Sequence, residues 1–217
     1  MKKYIAIIVM LFVALGVSAQ ITHTAKGDID ENANKVLKKA QSVFDKSAVS
    51  FTVTMINRNS EKKETARQKA DVLYSKGRYR VTTGNQILYS DGSSVWQWDK
   101  QANEVTVNTL AQGDDDLMNP ARLLATYSKN FKTKFIRLED DGTAVIDLTP
   151  FKSKSYYKIR MLINSNNGHI KQMEIHNYDS SEGIYQISAV KTGAKCSDKD
   201  FVFDTAANKG VEVIDMR

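Results

Sequence analysis

The stretch GRYRVTTGNQILYSDGSSVWQWDKQANEVTVNTL, residues 77–110, decides the fold of this chain. It contains strand-like segments at 78–83, 94–99 and 104–110, with a short apolar run at 87–89. Glycine, asparagine and aspartate, which tolerate the backbone angles of tight turns, lie between these segments. The stretch therefore predicts a meander of antiparallel strands.

Both tryptophans of the protein lie in one of these segments. Trp96 and Trp98 are two residues apart, and alternate side chains of a strand point to the same side of a sheet. The sequence therefore predicts a large aromatic surface on one face of a single strand. No residue suited to catalysis lies beside it.

The rest of the chain predicts two helices and further strands. Residues 28–46 have apolar side chains at helical spacing, and Asp28 or Asp30 is placed to cap that helix. Residues 119–130 form the second helical pattern, with Pro120 in its first turn. Further strand patterns lie at 49–55, 65–75, 131–139, 144–150, 156–164, 170–178, 184–192, 201–203 and 211–214.

These patterns predict a mainly β fold with about eleven strands and two helices. Helices do not alternate with the strands, so a parallel sheet is not expected. The simplest arrangement is a strongly curved sheet or an incomplete antiparallel β-barrel. The helices would then cover its apolar side.

Residues 1–19 predict a cleaved signal peptide. Two lysines open it, residues 5–17 form an uncharged, mostly apolar run, and Val-Ser-Ala at 17–19 provides the cleavage site. The run is shorter than the roughly 20 residues of a transmembrane helix, although an uncleaved anchor is the alternative. The next residue is Gln20, not the cysteine that a lipoprotein acylates. We therefore expect an exported protein in which residues 20–217 form one domain.

The charge and cysteine content exclude several classes of protein. Without residues 1–19, the chain has 29 basic and 25 acidic side chains, a formal charge of +4. This balance is too mixed to indicate a nucleic-acid partner and predicts an ordinary solvated surface. Cys196 is the single cysteine, so no internal disulfide can form and a buried, inert thiol is expected.

No complete set of catalytic or metal-binding residues is evident in the sequence. His23, His169 and His176 do not have the spacing of a metal-binding helical pair. The acidic run at 114–116 does not have the spacing and glycine of a calcium loop. Neither a nucleophile elbow nor a glycine-rich phosphate loop is present. We therefore expect no enzyme activity, no metal and no cofactor.

The apolar residues leave two interpretations open. One is a solid sandwich core. The other is a concave sheet, only partly filled, whose aromatic and methionine side chains form an adaptable apolar pocket. The candidates for this interior are Phe51, Met55, Tyr74, Tyr79, Trp96, Trp98, Met161 and Met173.

Nearly all of residues 20–217 resemble the periplasmic outer-membrane lipoprotein carrier (LolA-like) family. The resemblance is found in the long first helix leading into VSFTVTMIN, in GRYRV, and in ILYSDGSSVWQWDKQANEVTV followed by NPARLL. It continues in FVF and in the final GVEVIDMR. The family's fold is an incomplete antiparallel β-barrel whose hydrophobic cavity is covered by helices, in agreement with the strand pattern.

The resemblance implies a carrier that binds the acyl chains of lipoproteins and moves them from the inner to the outer membrane. The implied partners are acylated lipoproteins, an inner-membrane lipoprotein-releasing ABC transporter and an unspecified outer-membrane acceptor. A monomer is expected. The absence of a cysteine at Gln20 argues against the similar outer-membrane receptor, which is itself a lipoprotein.

The resemblance also implies a helical lid. In the family an arginine beside a proline, just before the GRYRV-like strand, holds the lid shut. Here the proline is missing, and Lys76 or Arg78 is the candidate for the latch. We expect the second helix to cover the tryptophan face through Leu123, Leu124 and Tyr127, which completes the predicted acyl-chain site.

Three alternatives to a lipoprotein carrier stay open, and the first of them is also a carrier. The same fold could bind another lipid or glycolipid amphiphile, which only the identity of a bound ligand would distinguish. A lipid hydrolase would need a nucleophile, a base and an orienting residue, and the sequence shows no such set. A β-domain that binds proteins through its edges would have a solid core.

Overall fold

The computed structural model describes residues 28–110 and 120–217. Two α-helices and a short 3-10 helix accompany a sheet of twelve strands. The elements are α1 (Glu31–Lys46), β1 (Val49–Arg58), β2 (Glu64–Ser75), β3 (Arg78–Thr83), β4 (Gln86–Ser90), β5 (Ser94–Asp99), β6 (Glu104–Thr109), α2 (Pro120–Asn130), β7 (Phe131–Leu138), β8 (Thr143–Pro150), β9 (Tyr156–Asn164), β10 (Ile170–Asn177), β11 (Glu182–Thr192), the 3-10 helix (Asp198–Phe201) and β12 (Glu212–Asp215).

The strand order is β12-β6-β5-β4-β3-β2-β1-β11-β10-β9-β8-β7, and the sheet stays open. The predicted mainly β fold, an antiparallel sheet that does not close into a complete barrel, is confirmed. Two details were wrong. The strand β12 pairs in parallel with β6. The strand predicted at 201–203 does not form, because a capping box of Ser197 and Asp200 starts a 3-10 helix that ends at Phe201, and residues 202–203 belong to no regular element.

The first helix begins where a side chain satisfies its free backbone N–H groups. Asp30 is the cap, accepting hydrogen bonds from the N–H groups of Asn32 and Ala33 at 2.9 and 3.0 Å. The backbone carbonyl of Asp28 instead accepts from the N–H of Thr133 in β7 at 2.8 Å. The start of α1 is thereby fixed to the last strand of the sheet.

The two faces of the sheet are covered by different parts of the chain. On one, the helix face, Phe51 lies opposite Val72, and Tyr74 lies opposite Val49. These four side chains pack in one cluster with α1 and α2. Leu73, between Val72 and Tyr74, must point to the other side. We call that side the tail face, because the tail segment, residues 196–204, packs on it.

Most of the hydrophobic core lies on the helix face. The four residues of α1 that face the sheet, Ala33, Leu37, Ala40 and Phe44, recur every three or four positions and are buried. They pack against β1, α2 and the second half of the sheet. The buried strand residues of this cluster include Ile146, Leu148, Ile159, Met161, Ile163, Met173 and Ile175.

Some predictions concern residues that the structure does not describe. These are the signal peptide at 1–19, Gln20, His23, the acidic run at 114–116 and the first residue of the predicted second helix, Asn119. Among the described residues, no helix is both long and apolar enough to cross a membrane.

Candidate functional site

The helix face brings together eight of the ten predicted acyl-chain residues, and five of them are buried. Phe51, Leu123, Leu124, Tyr127 and Met161 are all buried members of one cluster, and Leu124 and Met161 have no exposed surface. The second helix therefore packs its apolar stripe onto the same interior as β1 and β9. An 11-residue helix is marginal alone, so this contact stabilises it.

Three further predicted residues lie on the same face, nearer its margin. The ring of Tyr74 packs edge-on against that of Phe44, with centroids 5.5 Å apart. Tyr79 lies opposite Tyr74 in the next strand, and Met55 lies opposite Tyr185. All three predicted side chains are half-buried. Burial raises the pKa of Tyr74 and of Tyr185, so both phenols stay neutral.

A polar contact joins the two helices. The Tyr127 hydroxyl of α2 donates a hydrogen bond to Oδ1 of Asn34 in α1. Burial raises the pKa of Tyr127, which keeps this donor protonated. The two helices therefore form one cover over the sheet.

The middle of α1 is seated on the turn between β9 and β10. Gly168 in that turn has φ +79°, and a Cβ built on it would lie 2.7 Å from the carbonyl oxygen of Lys39. The Lys39 ammonium in turn donates to the carbonyl oxygen of Ser165 at 2.8 Å. Only glycine allows this close approach of helix and turn.

The tryptophans lie elsewhere, which corrects the sequence prediction. Trp96 lies opposite Tyr89, Tyr89 opposite Arg80, and Arg80 opposite Leu73, so all of them point to the tail face. Trp98 shares that side of β5, and its ring packs against Phe203 of the tail segment with centroids 5.3 Å apart. The second helix therefore does not cover the tryptophan face; the tail segment does.

The two latch candidates are also placed away from the helix cover. Lys76 is exposed in the two-residue turn between β2 and β3, with φ +50°. It forms no ion pair with a described residue. Arg78 is on the tail face, where it pairs with Asp198 at 2.5 Å and lies over the ring of Phe201. That Lys76 or Arg78 holds a helical lid shut stays a prediction.

A second ion pair fixes the tail segment. Arg80 contacts Asp200 at 3.1 Å. A hydrogen bond from the backbone N–H of Ser197 lowers the pKa of Asp200, and Arg80 lowers it further, so the carboxylate stays charged. Phe201 is also fully buried. The two ion pairs and this buried ring together hold the tail segment on the sheet.

One histidine has an environment that the sequence did not reveal. The Nε2 atom of His176 lies 3.3 Å from Glu174, and its Nδ1 atom lies 3.2 Å from Glu182 of the next strand. Lys62 also pairs with Glu182 at 2.8 Å. Within residues 28–110 and 120–217, no group of three or more His, Cys, Asp or Glu side chains is arranged to hold a metal ion.

The sequence analysis did not predict the contacts of Asn34 with Tyr127, of Gly168 with Lys39 and of Phe203 with Trp98. Asn34 lies beside the apolar stripe of α1, and a polar residue at such a position is the one local signal that a buried partner exists. The roles of Gly168 and Phe203 depend on segments distant in sequence, so no local pattern predicts them.

The comparisons with known proteins identify the family. The model of the family described as outer membrane lipoprotein carrier protein LolA matches residues 75–204. The chain belongs to this family. The matched region runs from the end of β2 to the tail segment, so it includes β3 to β11 and α2 but not α1 or β1.

Two named members of the LolA family resemble this chain at low identity. An outer-membrane lipoprotein carrier protein of Coxiella burnetii is 28% identical over 144 residues, which are 64% of this chain and 66% of that protein. The chain thus aligns with just under two thirds of that relative. A protein of the same name from Nitrosospira multiformis is 28% identical over 132 residues, 59% of this chain and 61% of that protein.

One solved structure shares the fold, and a second is less similar. An uncharacterized conserved protein from Thermus thermophilus covers 85% of this chain and 99% of its own, with 10% identity and a TM-score of 0.58. A LolA superfamily protein from Nitrosomonas europaea covers 79% of this chain and 97% of its own, with 17% identity and a TM-score of 0.44.

Proposed function

We propose that this LolA-family protein is a non-catalytic periplasmic carrier that binds the acyl chains of lipoproteins on its helix face and transfers them between membranes. The single observation that supports this most is the placement of α2. Its apolar residues Leu123, Leu124 and Tyr127 are buried on the helix face, in the cluster that also contains Phe51 and Met161. The names of the relatives, outer-membrane lipoprotein carrier proteins, agree with such a cargo.

The energetics of acyl-chain transfer require a filled resting state. Three acyl chains contain about 45 methylenes, and at ~0.8 kcal/mol each their full exposure to water costs about 35 kcal/mol. Non-covalent affinities saturate near −18 to −21 kcal/mol, and a carrier must also release its cargo. An interior already occupied by the protein's own side chains lowers the net gain from binding.

The two helices that cover the sheet can compete with acyl chains for the helix face. Opening α2 exposes three buried side chains, Leu123, Leu124 and Tyr127, at about 1.5–3 kcal/mol each. It also breaks the hydrogen bond between Tyr127 and Asn34, which contributes about 1 kcal/mol. The opening therefore costs about 5–10 kcal/mol, which the acyl chains repay when they occupy the same surface.

The remaining parts of the proposal follow from the family. We propose that residues 20–217 are one exported domain, that an inner-membrane ABC transporter loads it, and that an outer-membrane acceptor unloads it. The acyl-chain surface would comprise Phe51, Met55, Tyr74, Tyr79, Leu123, Leu124, Tyr127 and Met161.

The first test is native mass spectrometry of the mature protein, purified gently from periplasm, with lipid analysis of the released ligand. The proposal expects a bound acylated peptide or lipoprotein. Leu124→Asp should abolish it, because a charge replaces a side chain that has no exposed surface. The matched control is Leu138→Asp, at a leucine 57% exposed on β7, which should leave the ligand bound.

A second variant keeps the test valid if Leu124→Asp does not fold. Tyr127→Phe removes the hydrogen bond to Asn34 but adds no buried charge. Because closing the cover competes with cargo, this variant should bind a triacylated lipopeptide about fivefold more tightly. If the bound ligand is a non-protein amphiphile, the protein is still a carrier, but its cargo is that amphiphile and not a lipoprotein. A ligand-free mass, with no uptake of added lipopeptide or lipid, would refute the proposal.

A further inference from the structure

Two lysine-rich segments meet at one end of the sheet. Residues 128–134 (SKNFKTK) and 150–158 (PFKSKSYYK) together contain six lysines and no acidic residue. The structure brings them side by side, because Phe131 lies opposite Pro150. The N–H of Phe151 also donates to the carbonyl oxygen of Asn130 at 2.9 Å.

Aromatic side chains protrude among these lysines. Phe151 is 40% exposed and Tyr157 is 42% exposed. Tyr178, in the neighbouring turn between β10 and β11, is 69% exposed, and its ring centroid lies 5.6 Å from that of Tyr157. These are three of the seven most exposed large apolar or aromatic side chains among the described residues, and they lie at the same end of the sheet.

The positive charge of five of these six lysines is weakly compensated by described residues. Lys129, Lys134 and Lys152 form no ion pair with any residue in the described ranges. Lys132 and Lys158 have one carboxylate contact each, at the long distance of 3.6 Å. The local field is therefore positive, although the net charge of the chain is small.

We propose that this surface docks on an anionic lipid bilayer. We call it the lysine rim and define it as Lys129, Lys132, Lys134, Phe151, Lys152, Lys154, Tyr157, Lys158 and Tyr178. Amphipathic aromatic rings are stable at the headgroup level of a membrane, and lysines beside them are attracted to anionic headgroups. Protein–protein interfaces, in contrast, are depleted in lysine at their core. The composition therefore fits a lipid surface better than a protein partner.

Docking at the rim would place the helix cover at the bilayer. Asn130 is the last residue of α2 and is hydrogen-bonded to the rim through Phe151. The inference goes beyond the proposed carrier function and does not depend on it, because vesicle binding is measured without cargo.

The test is flotation of the mature protein with phosphatidylcholine vesicles, with and without about 30 mol% phosphatidylglycerol. We expect binding only to the anionic vesicles, and loss of binding at high salt. The variant Lys129→Gln/Lys134→Gln/Lys152→Gln should bind about a hundredfold more weakly, since each lysine near the surface contributes about fivefold. Phe151→Ser should weaken binding without a change in charge.

The matched control changes the net charge by the same amount at another site. Lys35→Gln/Lys38→Gln/Lys46→Gln removes three exposed lysines of α1 and should change binding less than threefold. Equal binding to both kinds of vesicle would overturn the inference, as would equal losses in the two triple variants. Capture of an acidic protein through the rim lysines without vesicle binding would overturn it too.

Discussion

Replacing Gly168 by alanine should detach α1 from the turn that holds it, and Gly77→Ala is the matched control. The two glycines have nearly the same backbone angle, φ +79° and +83°. A side chain at this angle costs about 1–2 kcal/mol whatever surrounds it. At Gly77 a Cβ meets nothing within 4 Å, whereas at Gly168 it lies 2.7 Å from the carbonyl oxygen of Lys39.

The difference between the two variants isolates the contact with the helix. Gly77→Ala should destabilise the protein by about 1–2 kcal/mol. Gly168→Ala should lose that amount and a further ~1–3 kcal/mol, the usual cost of overpacking, because the atoms that the new Cβ meets are backbone atoms of α1, which cannot rotate away. Urea unfolding of the two variants measures the difference as a shift of midpoint at constant slope. Equal destabilisation would refute the docking of α1 on this turn.

Further predictions address the tail face, the core and one surface carboxylate. Phe203→Ala should uncover Trp98 and shift the tryptophan emission to longer wavelength; an unchanged spectrum would show that the ring contact is wrong. Leu124→Ala should cost about 2–5 kcal/mol in urea unfolding yet leave that emission unchanged, because the cavity opens on the other face. A hydrogen bond from Lys171 is the main cause that lowers the pKa of Asp141 from 3.8 to about 2, so the carboxylate stabilises the fold above pH 3.8 and this contribution is lost as the pH falls to about 2. In Lys171→Met an NMR titration should show the pKa of Asp141 rising towards 3.8, and a value still near 2 would contradict the assignment.

The meander and the helices were predictable because their signals are local. Alternation places Trp96 and Trp98 on one side of a strand, and helical spacing identifies the buried stripe of α1. The turn glycines and asparagines mark the reversals between the strands. These features depend on residues a few positions apart.

The side to which the tryptophans point was not predictable from such signals. Periodicity shows that two residues share a face but not which layer covers it. Here the side to which the tryptophans point follows from the strand register, which pairs Leu73 with Arg80 and Arg80 with Tyr89. It also depends on a tail segment more than 90 residues further along the chain. The parallel pairing of β12 with β6 is equally non-local.

Photo-crosslinking is the best test of whether acyl chains bind under the helices. A triacylated lipopeptide with a diazirine at the end of one acyl chain is bound to the mature protein, irradiated and mapped by peptide mass spectrometry. We expect crosslinks to the helix face, in peptides that contain Phe51, Leu124 or Met161. Crosslinks confined to the peptide with Trp96 and Trp98 would contradict this expectation and assign the ligand to the tail face.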